Sequence, residues 1–350
     1  MAHALERLTG EYRLAGAVVE VADPVCGRWS LASGRADLDT GRPASAGDRL
    51  RIGSITKTFT ATVVLQLVDE GRLSLDATVD DYLPGLVRGN GYDGRTITVR
   101  QLLQHTSGLP DHADAFATAD TDWLRHHDFT PRELVEAALR LPPPATTWHY
   151  STTNYVLAGL LIERVTGRSY ESETERRIIR PLGLRDTYWP GGSEVIRGRH
   201  SHSYFTVERD GAAVRVDGTR WNTSAGGAGG ALVSTPSDVN RFLDALLGGR
   251  LLSPRQLARM RDTVPGDPGR LGPGGRYGLG LITSPLSCGG QWSGHTGSTR
   301  AGHHAITAMA PGGRHLTVAV NETPTTEESV AAFVAVVDTA LCEPPARHPA

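Results

Sequence analysis

Gly53-Ser54-Ile55-Thr56-Lys57-Thr58-Phe59-Thr60 sets a hydroxyl and an amine three residues apart at the mouth of an apolar run. From Ile55 to Glu70 the residues Phe59, Val63 and Leu67 recur at a four-residue step, and Gly71 closes the segment, which is the pattern of a helix with its glycine cap. On such a helix Ser54 and Lys57 share a face within hydrogen-bond reach. An unassisted serine is a weak nucleophile and needs an adjacent base. The helix N-terminus beside Ser54 supplies a positive dipole and free N–H groups suited to an oxyanion.

The lysine itself is informative. Of the 36 basic residues, Lys57 is the single lysine and the other 35 are arginines. A guanidinium stays protonated in proteins whereas an amine can release its proton. A position that must pass through a neutral state therefore excludes arginine, however strongly the chain favours it elsewhere.

Outward from this point the chain reads as one protein of 350 residues with a substantial core. The formal net charge of -2, with both signs scattered, gives no footprint for nucleic acid or a membrane surface. The first residues, Met1 to Leu14, alternate charged and apolar side chains and lack the apolar centre of a secretory signal. No stretch is long and apolar enough to span a bilayer. The expectation is a cytoplasmic monomer, with secretion as the alternative if the chain is a trimmed mature form.

Strand patterns lie at both ends. Ala17 to Val21 and Trp29 to Ala32 read as a hairpin, and Gly278 to Ile282, His304 to Met309 and Leu316 to Val320 as later strands. Between them lie helices over 99–104, 131–139, 155–165 and 170–179, with few convincing strands. Thr235-Pro-Ser-Asp238 has capping-box spacing with proline at the first helical position, and Glu327 to Leu341 forms a last amphipathic helix. The fold class expected is α/β: a mixed, mainly antiparallel sheet flanked by helices, with an inserted helical domain. Residues 1–72 and 218–350 make the sheet domain, 73–217 the helical one, and the active site lies at their junction.

Two further elements complete a constellation. Tyr150-Ser151-Thr152 precedes a helix, and a phenol beside a lysine ammonium is a suitable proton relay. His295-Thr296-Gly297-Ser298 leads into the final strands, where a cationic or donor side chain beside small residues can hold a substrate. The pairs His112 and Asp114, His126 and His127, and His303 and His304 form no complete ligand set, so no metal and no cofactor is expected. Gly226 to Gly230 lacks a following Lys-Ser/Thr and reads as a tight turn. A Gly-x-Ser-x-Gly elbow is missing, which removes the α/β-hydrolase alternative.

Taken in order, Gly53-Ser54-Ile-Thr-Lys57, Leu103-Gln-His105-Thr-Ser107-Gly108-Leu109, Tyr150-Ser-Thr-Thr-Asn154-Tyr155 and Gly294-His295-Thr296-Gly297 resemble the class C β-lactamase and D,D-peptidase family. The likeness is strongest to the D-alanyl-D-alanine carboxypeptidases of Streptomyces and spans about residues 15–342. It implies a nucleophile at Ser54, a partner at Lys57 and a proton relay at Tyr150. It also implies a cleft lined by Thr152, His295, Thr296 and Gly297, and an oxyanion hole from the backbone N–H groups of Ser54 and Ser298. A Cys288–Cys342 disulfide is implied too, with Cys26 free.

Thr152 departs from the asparagine usual in the second motif. A hydroxyl offers one donor where a carboxamide offers two, which moves the expectation away from D-Ala-D-Ala peptides and toward esters, lactams or a biosynthetic acyl donor. The family's carboxylate-binding arginine is replaced by Leu281-Ile282-Thr283, and Arg300 is the candidate substitute. The function expected is a serine acyl-enzyme hydrolase or acyltransferase acting on an ester, amide or lactam of a small molecule or peptide. Alternatives are a biosynthetic transacylase with an amine acceptor and a catalytically silent binding or sensor protein.

Overall fold

The computed structural model describes residues 1–343. Eight strands form one antiparallel sheet: β1 (Gly16–Asp23), β2 (Gly27–Gly34), β3 (Val264–Pro265), β4 (Arg276–Tyr277), β5 (Ile282–Pro285), β6 (Gln291–Ser298), β7 (His304–Met309) and β8 (His315–Val320). Their spatial order is β2-β1-β8-β7-β6-β5-β4-β3. The first hairpin therefore joins the last strand, with Val19 opposite Val318 and Ala17 opposite Val320. Short hairpins at 88–93 and 204–217 and the pairing of Leu50–Arg51 with Val233–Ser234 lie outside this sheet.

Alternation along the strands separates two cores. Val19, Val21, Ile306, Ala308, Leu316 and Val318 pack with Leu5, Leu8, Phe333 and Val337 from α1 (Ala2–Gly10) and the C-terminal helix. Val18, Ala305 and Ala319 belong instead to the larger core on the opposite face. That core holds Phe59 and Leu65 of α2 (Thr56–Asp69), Leu157 and Leu161 of α3 (Thr153–Thr166) and Phe242 of α4 (Pro236–Leu247). Both sheet faces are covered, so β8 is buried along its whole length. The C-terminal helix, α5 (Glu327–Cys342), is tied to the β5–β6 turn by a Cys288–Cys342 disulfide with a Cα–Cα distance of 5.7 Å, and Cys26 is free and exposed.

Several local readings change. The segment Gly278 to Ile282 is a turn, not a strand: the Gly278 amide donates to Leu281 O and Gly280 takes a positive φ, so pairing resumes only at Ile282. The His-Thr-Gly segment lies inside a strand, β6, where His295 to Gly297 pair with β7 while β5 pairs only with Gln291 to Gly294. Met1 to Leu14, read only for the lack of a signal, contains the amphipathic α1. At α4 Thr235 caps the Asp238 amide and Pro236 starts the helix. The Asp238 carboxylate does not close a box there; it accepts from the Asp186 amide and the Thr187 hydroxyl. Helix α2 is enclosed on nearly every side, so its apolar stripe understates its burial. Its threonines stay satisfied: Thr58 donates to Gly280 O at 2.8 Å and Thr60 to Ala228 O at 2.6 Å.

Candidate active site

Ser54 lies in a 3-10 turn, Gly53–Ile55, that runs directly into α2. A side chain at residue 53 is excluded: φ is +51° and a Cβ would lie 2.5 Å from Ser298 O and 2.7 Å from Ser298 N. The close approach brings the end of β6 against the turn that carries Ser54, so the Ser298 backbone stands beside Ser54.

One turn into α2, the Lys57 side chain is fully buried. Its Nζ donates to Ser54 Oγ at 3.0 Å, Thr152 Oγ1 at 3.3 Å and Gly229 O at 2.9 Å. These three acceptors match the three N–H bonds of an ammonium group. Gly229 is a partner that the sequence reading missed; the glycine-rich run was a signal of it. A Cβ there would press on Thr152 Cγ2 at 2.8 Å, so glycine lets the carbonyl approach the amine.

The start of α3 is pinned from the loop after the 99–104 helix. His105 ends that helix in the left-handed region, and its Nδ1 accepts from Asn154 Nδ2 at 3.1 Å and the Ser151 amide at 3.2 Å. Ser151 and Thr153 both donate to Pro110 O, while the Thr152 amide donates to Asp111 Oδ2. These bonds orient Thr152 toward Lys57. Burial opposes charge on Asp111, but His112, the Thr152 and Ala113 amides and Lys57 hold its carboxyl below the usual range.

The Tyr150 ring lies between two cations, with Lys57 Nζ 4.9 Å and Arg270 Cζ 4.5 Å from its centroid. The distances are those of cation–π contacts. Its phenol oxygen is buried and has no hydrogen-bond partner among the described residues. Arg270 was not among the candidates read from sequence; it reaches the site from a short helix, Pro268–Leu271, on an exposed loop.

His295 is not a cation at the cleft. Its Nδ1–H donates to Thr296 O at 2.6 Å, so Nε2 accepts from the Tyr277 hydroxyl at 2.8 Å. Burial, aided by the positive charges of Lys57 and Arg270, lowers its pKa to about 3 against a backbone hydrogen bond that raises it. Tyr277, His105, Trp148 and Tyr150 pack around one another as an aromatic floor.

A cavity of about 170 Å³ opens beside Ser54. Ser54, Thr152, Ser298 and Arg300 line it; Lys57, Tyr150, His295, Thr296 and Gly297 do not. Arg300 is exposed, and its guanidinium donates to Ala113 O at 2.9 Å and Phe116 O at 3.2 Å. The other histidines have local roles: His112 contacts Thr153 Oγ1 and Ala225 O, and His126 pairs with Glu194. Among the described residues there is no group of three potential metal ligands, and no helix is long and apolar enough to cross a membrane.

The profile of a family described as Beta-lactamase matches residues 1–341. Penicillin-binding protein 4 of Amycolatopsis lactamdurans is 34% identical over 249 residues, 67% of this chain and 62% of that protein, so the chain spans less than two thirds of that relative. Esterase EstB of Burkholderia gladioli is 33% identical over 305 residues, 79% of this chain and 76% of that one. The crystal structure of a D-stereospecific amidohydrolase from Streptomyces sp. superposes with a TM-score of 0.85 at 38% identity, covering 98% of this chain and 99% of the other.

Proposed function

The chain belongs to the Beta-lactamase family and is a serine hydrolase of it; from that premise we propose that Ser54 is its nucleophile, with Lys57 and Tyr150 as the proton-handling pair. The observation that carries this is the 3.0 Å contact between the only side-chain amine of the chain and Ser54 Oγ, made inside a buried pocket.

In the first step the Lys57–Tyr150 pair holds one proton fewer than an ammonium plus a phenol; Ser54 Oγ attacks the substrate carbonyl and its proton passes to the vacant position of that pair. The Ser54 and Ser298 amides hold the oxyanion. Collapse expels the alcohol or amine, which takes the proton back, and leaves an acyl-enzyme on Ser54. Water then resolves the ester through the same groups in reverse. Thr152 holds Lys57 in register, and the aromatic floor that includes His295 fixes the Tyr150 ring. Thr296 and Gly297 keep β6 paired beside the site. All of these groups come from one chain, so a monomer suffices. We also propose that residues 1–72 and 218–350 act as a sheet domain and 73–217 as a helical domain, with Ser54 between them.

The substrate class proposed is an ester or the amide of a D-amino acid. The full-length likeness to a D-stereospecific amidohydrolase supports the amide, the likeness to an esterase supports the ester, and Thr152 in the asparagine position favours the latter. A panel of nitrophenyl esters, D- and L-amino-acid amides and penicillins, followed by intact mass and turnover, tests the reading. Acylation confined to Ser54 and abolished by Ser54→Ala is expected. Equal turnover in wild type and S54A would instead show a chain that binds without catalysis, and an added amine separates hydrolysis from transfer.

A further inference from the structure

The cavity beside Ser54 has walls of two kinds. Phe116, Leu124 and Trp221 make it apolar, while Arg51 and Arg300 make it cationic. No aspartate or glutamate lines it. Arg51 is 2% exposed, and its Nη2 donates to three main-chain carbonyls, Glu194 O, Thr219 O and Trp221 O. Its Nη1 has no hydrogen-bond partner among the described residues, and no ion pair joins Arg51 or Arg300 to a carboxylate there. A buried cation without a directly paired carboxylate is unfavourable; burial lowers the Arg51 pKa to about 10, with Tyr188 and the more distant Asp217 opposing the shift and Arg125 adding to it. The remaining titratable group on the wall, His112, is pushed toward its neutral form by burial and so adds no counter-charge. Arginine is common in this chain, but Arg177, whose side chain is 8% exposed, is paired with both Glu70 and Glu173.

We propose that this cavity receives the acyl side of the substrate and that the acyl groups it prefers carry a carboxylate at the end of an apolar stem. The stem lies against Phe116, Leu124 and Trp221, and the carboxylate supplies the missing counter-charge to Arg51, with Arg300 closing the other cationic wall. A planar guanidinium offers its free N–H to a carboxylate oxygen, a charge-assisted bond that strengthens in a desolvated site. The inference rests on Ser54 being the nucleophile, since only then does the acyl group enter this cavity.

The test compares two nitrophenyl esters on the wild-type enzyme: the monoester of adipic acid, whose far end is a free carboxylate, and the matching diester in which that carboxylate is capped as a methyl ester. The free carboxylate is expected to raise kcat/KM by roughly 10–100-fold over the capped ester, the range of one charge-assisted hydrogen bond. Arg51→Gln is expected to reduce that ratio to within about threefold, and R300Q to reduce it in part. Equal kcat/KM for the two esters, or preference for the capped one, would overturn the inference while leaving the nucleophile in place. Failure of both esters to acylate Ser54 would instead overturn the reading of Ser54 and this inference with it. Because the wild-type ratio is decisive, the outcome does not depend on R51Q folding.

Discussion

The Ser54–Lys57 pair is a local feature, three residues apart on one helical turn, but the state of its amine is a long-range one. Lys57 Nζ meets Thr152 from 95 residues away and Gly229 from 172. The lone lysine in an arginine-rich chain marks where the proposed mechanism needs an amine, and the expected consequence is sharp. Lys57→Arg should keep a cation yet lower kcat on a nitrophenyl ester by roughly 10²–10⁴-fold, the usual range for losing a proton-transfer partner. A rate within a few-fold of wild type would show that no neutral amine is needed. His295 illustrates the opposite case: its place in the His-Thr-Gly segment was legible, but its neutral charge state follows from Tyr277 and from burial, neither of which the segment encodes. Arg51 escaped notice for a related reason. In a chain with so many arginines only three-dimensional isolation distinguishes one from another.

At the level of elements, the junction of the Ser54 turn with β6 is the contact on which the proposed oxyanion hole depends. Gly53 permits it through a positive φ and the nearness of the Ser298 backbone, and Gly297 similarly approaches Ile52 O. Gly53→Ala should therefore destabilise the fold by about 1–3 kcal/mol, from backbone strain, and lower kcat/KM by at least about tenfold by pushing Ser298 N away. Denaturant titration and ester turnover together check this; a stable variant with full activity would remove Ser298 from the proposed hole. Helices α2, α3 and α4 were readable because their caps and apolar spacing are local signals. The turn at 278–281 was not, since its residues alternate like a strand while Gly280 needs a positive φ and backs onto Ala61 of α2. The readable strand patterns at either end of the chain came without the register that interleaves them.

Across the whole molecule, five histidines whose pKa is lowered by desolvation set the response to acid. Burial lowers the pKa of His105 and His303 far below the usual value, that of His112 below it, that of His304 to about 4 and that of His295 to about 3. The unfolded chain binds protons on these rings below about 6.5 while the folded chain does not, so stability is full above that value and falls as pH drops toward 4. Each ring contributes up to about 1.4 kcal/mol of loss per pH unit in that window. Urea unfolding at pH 7.5 and pH 5 should show a clear fall in midpoint at the lower pH; a midpoint unchanged or higher at pH 5 would contradict the burial of these rings. The disulfide acts on the same scale. It closes a loop of 54 residues between the β5–β6 turn and α5, and Cys288→Ser should cost about 2–4 kcal/mol of stability, measurable as a lower denaturation midpoint. By itself the sequence determined the helix-borne serine and amine, the order of the motifs and the strand-bearing ends, because these depend on residues close along the chain or on recognisable spacing. Only the tertiary structure decided which carbonyl faces Lys57, that His295 is uncharged, and that Arg51 lines the Ser54 cavity without a carboxylate paired to it. Each of those is set by groups tens to hundreds of residues apart, brought together by a sheet in which the first and last strands are neighbours.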